Sequence, residues 1–248
     1  MQQEMLWSSW EHDLDLTHVC QGKRLYFACK RGLDLATCLL FLIVGVPLVL
    51  IIALLVKIDS PGPVLFKQER VGLRRLRGNG RVSWALGTFM MYKFRTMRHD
   101  CSPSIHQSHM RTLIEGHACE AGPLDINDHS TNRKLSGDPR VTRVGKVLRR
   151  TCLDELPQLL NVLRGEMSLV GPRPAIPYEV AEYKLRHRRH LGTIPGCVGL
   201  WQVSGWNTLG FEEMVQLDVR YIEQQSLWLD AKILLKTVSA VLSGKGGG

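Results

Sequence analysis

Residues 35–56 read LATCLLFLIVGVPLVLIIALLV, a run of 22 without a charge. As a helix it would extend about 33 Å, enough to cross a hydrocarbon core of about 30 Å. It starts too far in for a secretory signal, and no small-residue cleavage site follows it. A soluble helix this long and apolar all round would be unusual. Pro47 sits near its middle. Proline offers no N–H to the carbonyl of Ile43 and its ring crowds that carbonyl, so the helix should bend or break. Both flanks are basic: Lys23, Arg24, Lys30 and Arg31 before the run, and Lys57, Lys67, Arg70, Arg74, Arg75, Arg77 and Arg81 after it. Basic flanks favour the cytoplasmic side. Two topologies follow. One is a Pro-kinked span, since membrane helices tolerate proline. The other is a helix–break–helix hairpin hinged at Pro47, with both ends on one side.

The rest of the chain supports an anionic partner. The 248 residues are 44% hydrophobic and 22% charged, which excludes global disorder. The net charge is +9. The first 22 residues hold Glu4, Glu11, Asp13 and Asp15 and no Lys or Arg, so the remainder carries +13. Such a chain meets nucleic acid, anionic lipid or phosphorylated substrates. No nucleic-acid motif is recognisable and aromatics are only 7%. Seven cysteines, without a Cys-x-x-Cys, make no disulfide framework and point to a reducing compartment.

Beyond the apolar run, Val64–Val71 and Thr88–Met97 read as strands joined by an Arg/Gly-rich connection. Met91, Lys93 and Arg95 share a face of the second strand, setting two cations about 7 Å apart. That spacing suits a diphosphate, or else two solvated cations on an edge strand. Residues 98–137 are polar and turn-rich, with five histidines, Cys101 and Cys119; their spacing fits no standard zinc pattern, and an elaborated surface loop is the expectation. Asp138-Pro139 reads as a helix start, followed by cations at Arg140, Arg143, Lys146 and Arg150, with Val144, Val147 and Leu148 on the apolar side. Leu227–Val238 has helical spacing and fits either a core helix or an interfacial helix with Trp228 at headgroup depth.

Thr151–Gly165 is the most informative stretch outside the membrane run. Asp154 reads as an N-cap, Pro157 lies in the first turn, Leu156, Leu159, Leu160 and Leu163 form the buried face, and Gly165 ends the helix. Acids at that position cap helices routinely. They also suit phosphoryl chemistry: one carboxylate kept ionised by nearby cations, beside another able to hold a divalent cation. Pro172-Arg173-Pro174 presents a guanidinium on a stiff loop, for phosphate recognition or for capping a helix C-terminus.

Together the pieces KRGLDL, FKQERVG, MYKFRTM, GDPRVTRVGKVLRRTCLDELPQLLNVLRGEMSLVGPRP, GLWQVSG and LWLDAKILLKT resemble the bacterial sugar transferases, the monotopic phosphoglycosyl transferases. The resemblance runs from about Lys30 to Gly246. It implies an α+β fold: a small mixed helical catalytic region with a short β-hairpin, anchored by an N-terminal re-entrant membrane segment. The implied organisation is an acidic leader (1–22), the re-entrant segment (23–57) and a cytoplasmic catalytic domain (58–248), on the inner membrane of a bacterium. The implied reaction moves a hexose-1-phosphate from a nucleotide sugar, usually UDP-linked, to a polyprenyl phosphate such as undecaprenyl phosphate. UMP leaves, and the product starts an exopolysaccharide, capsule, O-antigen or other glycoconjugate. By resemblance Asp154 is the nucleophile and forms a phosphosugar–enzyme intermediate. Glu155, with Asp154, holds Mg²⁺, while Lys93 or Arg95, Arg149 and Arg173 bind phosphates. Other glycan-assembly proteins are expected partners, and nucleic acid is not. The chain departs from the family at Ile194 and Trp206, where basic residues are common, and at Val46, where serine is common. Compensation is available from the cluster Arg186-His187-Arg188-Arg189-His190, or from Trp206 stacking on the base or sugar. A non-catalytic member that scaffolds other glycan-assembly enzymes is the alternative reading.

Overall fold

A computed structural model describes residues 23–78, 81–98, 140–205 and 209–242. The acidic leader, the histidines of the 98–137 stretch, Asp138-Pro139 and Trp206 lie outside the described residues.

The apolar run lies within one helix, α1 (Arg24–Asp59), 36 residues long. It continues through Pro47, so the expected break is not seen as an interruption of the helix. A single proline removes one N–H, and the turns on either side keep their own bonds. By length and composition the helix can cross a membrane. Its two ends are packed, Phe27, Lys30, Asp34 and Cys38 at the first and Ile52 and Val56 at the second. Between them Leu40, Phe41, Ile43, Val44 and Leu50 are exposed. An exposed apolar stretch of this size between packed ends fits a surface that meets a membrane or another apolar partner.

After the turn at Ser60–Pro63 the chain enters β1 (Leu65–Gly78), which pairs antiparallel with β2 (Arg81–Phe94). The Arg/Gly-rich connection is therefore strand over most of its length. Beyond β2 a single bridge joins Met97 to Val141, and α2 (Arg143–Arg150) follows. Its N-cap is Thr142, whose hydroxyl accepts from Gly145 N, so the helix starts after the expected Asp138-Pro139. Val147, assigned to its apolar side, is exposed. Gly145 is required there: a Cβ would lie 2.2 Å from the carbonyl oxygen of Thr96.

A 3-10 turn (Leu153–Gln158) leads into α3 (Leu159–Arg164), and Gly165 ends it in the left-handed region, as expected. The strand β3 (Ser168–Val170) pairs in parallel with β4 (Gly196–Val198). Between them lie α4 (Pro177–Ala181) and α5 (Leu185–Arg188), and after β4 come α6 (Leu200–Ser204), α7 (Phe211–Gln224) and α8 (Leu227–Leu242). The main core gathers Val71, Leu73 and Leu86 of the hairpin with Val180, Tyr183, Trp201, Phe211 and Met214. Mixed helix and strand with one long apolar helix agrees with the α+β expectation.

The helix α8 is neither of the two alternatives alone. Asp230 and Ile233 are buried, while Trp228, Leu235 and Val238 are exposed. Its inner face is fastened to the start of α1. Lys30 Nζ and Tyr26 Oη donate to Asp230 Oδ2 at 2.7 and 2.9 Å, and Tyr221 Oη donates to Asp230 Oδ1 at 2.7 Å. Burying the Lys30–Asp230 pair is tolerable because both phenols complete its hydrogen bonding.

Candidate active site

Cys152 has φ of 56°, the only positive value of a non-glycine among the described residues. It turns the chain sharply from α2 into the 3-10 turn that carries the acid pair, at a cost of about 1 kcal/mol. Asp154 is thus the second residue of that turn rather than an N-cap, and it is buried. The buried face also differs from expectation. Pro157, Gln158, Asn161 and Val162 point inward, whereas Leu160 is exposed and Leu156, Leu159 and Leu163 are half-buried. Asn161 explains the rotation. Its Oδ1 accepts from Tyr92 N at 3.1 Å, and its Nδ2 donates to Met90 O and Glu166 Oε2, both at 2.7 Å. The side chain behaves as a short extra strand on β2, and a fully satisfied amide belongs inside.

That docking brings the turn against β2. Lys93 Nζ lies 2.7 Å from Glu155 Oε1, and Arg173 Nη1 lies 3.8 Å from the same oxygen. Burial pulls the Lys93 pKa down; Glu155 opposes this, and Arg173 and Arg70 reinforce it. Asp154 also favours the charged lysine, more weakly than Glu155. Lys93, Glu155 and Arg173 each keep some solvent exposure, between 15% and 24% of the side chain, so a ligand can reach them.

The loop bearing Arg173 is held from both sides. Gly171 N donates to Val198 O, and Gly196 N donates to Pro172 O, each at 2.8 Å. Arg70 Nη1 donates to Pro174 O at 2.9 Å, and Val71 N to Ala175 O at 2.8 Å. Arg70 is buried, braced by Gln68 Oε1, and is a site residue that the sequence reading missed. It belongs to FKQERVG, but its role depends on β1 passing under the loop. Cys197 on β4 is another missed neighbour: burial and the charge of Glu155 push its thiol pKa well up.

Arg95 does other work. Its Nη1 donates to Pro63 O at 2.5 Å and its Nη2 to Val56 O and Ser60 O at 3.2 and 2.6 Å. The guanidinium closes the carboxyl end of α1, so the phosphate role expected of Arg95 is not carried forward. The backbone leaves the strand after Phe94, and alternation no longer fixes the direction of residue 95. Arg149 Nε donates to Thr96 Oγ1 at 2.9 Å, which ties α2 to the end of the same strand.

The cluster expected to supply donor-side charge faces α7 instead. His187 is fully buried against Glu212 at 2.8 Å, Arg186 also bonds Glu212, Arg189 pairs with Glu223 at 3.0 Å, and His190 with Asp218 at 3.3 Å. Ile194 packs against the main core.

Asp154 and Glu155 are hard oxygen donors one peptide apart. Among the described residues no group of three or more His, Cys, Asp or Glu can hold a metal. Mg²⁺ commonly takes one or two carboxylates and fills its shell with water and substrate phosphates, so the pair fits that ion.

The family model described as bacterial sugar transferase matches residues 25–244. The chain belongs to the bacterial sugar transferase family. It is 39% identical over 217 residues to the exopolysaccharide production protein ExoY of Sinorhizobium fredii, covering 88% of this chain and 87% of that one. It is 39% identical over 228 residues to the UDP-glucose:undecaprenyl-phosphate glucose-1-phosphate transferase of Caulobacter vibrioides, covering 86% and 70%. It is 38% identical over 228 residues to the galactosyl transferase CpsE of Streptococcus agalactiae, covering 90% of this chain but only 44% of that relative. This bacterial sugar transferase thus spans most of one relative and under half of another.

Proposed function

We propose that this chain is a polyprenyl-phosphate sugar-1-phosphate transferase that takes its sugar phosphate from a UDP-hexose. The carrying observation is the meeting of three separate segments at one point. Lys93 from β2 and Arg173 from the loop after β3 converge on Glu155, beside the buried Asp154. Two of these relatives are named for sugar transfer and differ in the sugar, one naming glucose and one galactosyl transfer, and the third is named for exopolysaccharide production.

The chemistry follows from the residues. The Asp154 carboxylate attacks the phosphorus next to the sugar. A new P–O bond forms, the bridging P–O bond breaks, and UMP leaves with the bridging oxygen. The polyprenyl phosphate oxygen then attacks the same phosphorus and breaks the bond to Asp154, regenerating the carboxylate. Lys93 and Arg173 face the charge that develops on the phosphoryl oxygens, and Arg70 holds the Arg173 loop in place. Mg²⁺ held by Asp154 and Glu155 would neutralise further phosphate charge.

Location supports the same reading. Cys38 at the first end of α1 packs with Phe89 and Met91, and Ile52 and Val56 at the second end pack with Phe94. Both packed stretches therefore lie against one strand, an arrangement that a return to the cytoplasmic face at Pro47 would allow. Two basic flanks agree. Such a hairpin delivers a lipid phosphate to Asp154 without moving sugar across the bilayer. Single cysteines at residues 24 and 58, in a cysteine-free background, should both resist an impermeant thiol reagent applied outside the cell; labelling of one alone restores a simple span.

The functional test is a panel of UDP-sugars with undecaprenyl phosphate and Mg²⁺, reading UMP release and lipid-linked product. The wild-type chain should turn over at least one donor, and Asp154→Asn none. Absence of turnover on every donor favours the scaffolding alternative.

A further inference from the structure

The membrane helix reaches the site through charged side chains that its basic flank does not explain. Arg31 Nη2 donates to Leu163 O at 2.8 Å, and Nη1 donates to Val162 O. These are carbonyls of the last turn of α3, where Val162 O also accepts from the capping Gly165 N at 3.0 Å. One turn further along α1, Asp34 Oδ2 accepts from Ser168 Oγ at 2.7 Å and Oδ1 accepts from Leu169 N at 3.2 Å. Asp34 is 6% exposed. A carboxylate that served only to flank a membrane run would sit in water, because burying it is costly without such bonds.

The two grips fall on either side of Arg164–Met167. Upstream, α3 follows directly on the turn carrying Asp154 and Glu155. Downstream, β3 leads within three residues to Arg173. The Arg173–Glu155 contact of 3.8 Å therefore depends on how the two sides of this junction are set relative to one another. We propose that Arg31 and Asp34 are positioning residues: one turn of the membrane helix holds the acid-pair segment and the Arg173 loop in register. This inference rests on the transferase reading for its kinetic consequence. Neither residue touches substrate. Their loss acts through Glu155 and Arg173, and displacements near 1 Å can reduce turnover about 100-fold.

The test uses the full chain in nanodiscs, with hydrogen exchange and steady-state kinetics side by side. In Asp34→Ala, amide exchange should rise about tenfold or more across residues 159–174 while the hairpin 65–94 is unchanged. The kcat should fall about tenfold or more with KM for the UDP-sugar within about twofold. Asp34→Asn keeps an acceptor for Leu169 N and a donor for Ser168 Oγ, and should recover most of kcat. Ser168→Ala removes one bond and leaves Asp34–Leu169, so it gives a milder version of the same pattern should Asp34→Ala fail to fold. Unchanged exchange and kcat, a change in KM alone, or Asp34→Asn as damaging as Asp34→Ala would each overturn the proposal. If the wild-type chain transfers no sugar phosphate, the transferase reading fails separately. The exchange pattern then decides the clamp: acceleration confined to 159–174 upholds it, and its absence overturns it.

Discussion

Lys93 and Arg95 lie two residues apart, yet they serve two different regions. Lys93 faces the acid pair and meets Glu155 at 2.7 Å. Arg95 turns to the end of the membrane helix and bonds three backbone carbonyls. One is a point charge on a flexible stem, placed where a ligand can arrive. The other is a rigid fork whose several donors suit a cluster of fixed acceptors. A cation's function here follows the acceptors around it and not its place in a repeat. A buried guanidinium already committed to carbonyls has little left for a phosphate.

The contrast can be broken from either side. Lys93→Met should give the largest effect, a loss of about 100-fold or more in kcat, with little change in melting temperature. Arg95→Met should do the reverse. Bonds from a buried charge to three carbonyls and to Ser60 Oγ are lost, so stability falls by about 3 kcal/mol and Tm by roughly 10 °C. The kcat per folded molecule should stay within a few-fold. Thermal melts and active-enzyme kinetics on both variants decide the matter, and a dead but stable Arg95→Met would return Arg95 to the site.

A smaller effect sharpens the contrast at the third group of cations. Burial pushes the Glu212 carboxyl up, but bonds from His187 and Arg186 outweigh it and hold the pKa below the usual range. A depressed carboxylate stabilises the fold above its unfolded pKa of about 4.3, and that stabilisation is lost as pH falls through the folded value. Glu212→Gln should therefore lower Tm slightly at pH 7, and the gap to wild type should close in acid. The pair is partly exposed, so the shift is expected to be only a few degrees or less. Enzyme activity at pH 7 should be unaffected, because this cluster serves α7 and not the donor.

Much of this was legible in the sequence, and the failures share a cause. The uncharged helical run, the existence of two strands and the helix stop at Gly165 depend on local rules and appear as those rules expect, whereas the strands run further toward each other and Asp154 lies inside a 3-10 turn rather than at a cap. Arg95, Arg70 and Asn161 depend on which backbone passes nearby, which no local pattern carries. Leucines at helical spacing suggested an apolar face on α3, but a fully bonded Asn161 won the interior and left Leu160 outside. The charges before the membrane run gave a topology signal, yet Lys30, Arg31 and Asp34 also make specific buried or part-buried bonds across more than a hundred residues. At position 194 the missing cation suggested a weakened donor site; the half-buried side chain packs against the main core.

In the proposed reaction Asp154 carries the sugar phosphate between donor and lipid. The most direct test of that step is mass spectrometry of the enzyme incubated with its preferred UDP-sugar and Mg²⁺ in the absence of polyprenyl phosphate, followed by peptide mapping. One hexose phosphate is expected on the peptide containing Cys152–Arg164, located at Asp154, discharged on adding undecaprenyl phosphate and absent from Asp154→Asn. A hexose phosphate on any other residue, or an Asp154→Asn variant that still forms lipid-linked product, would contradict it.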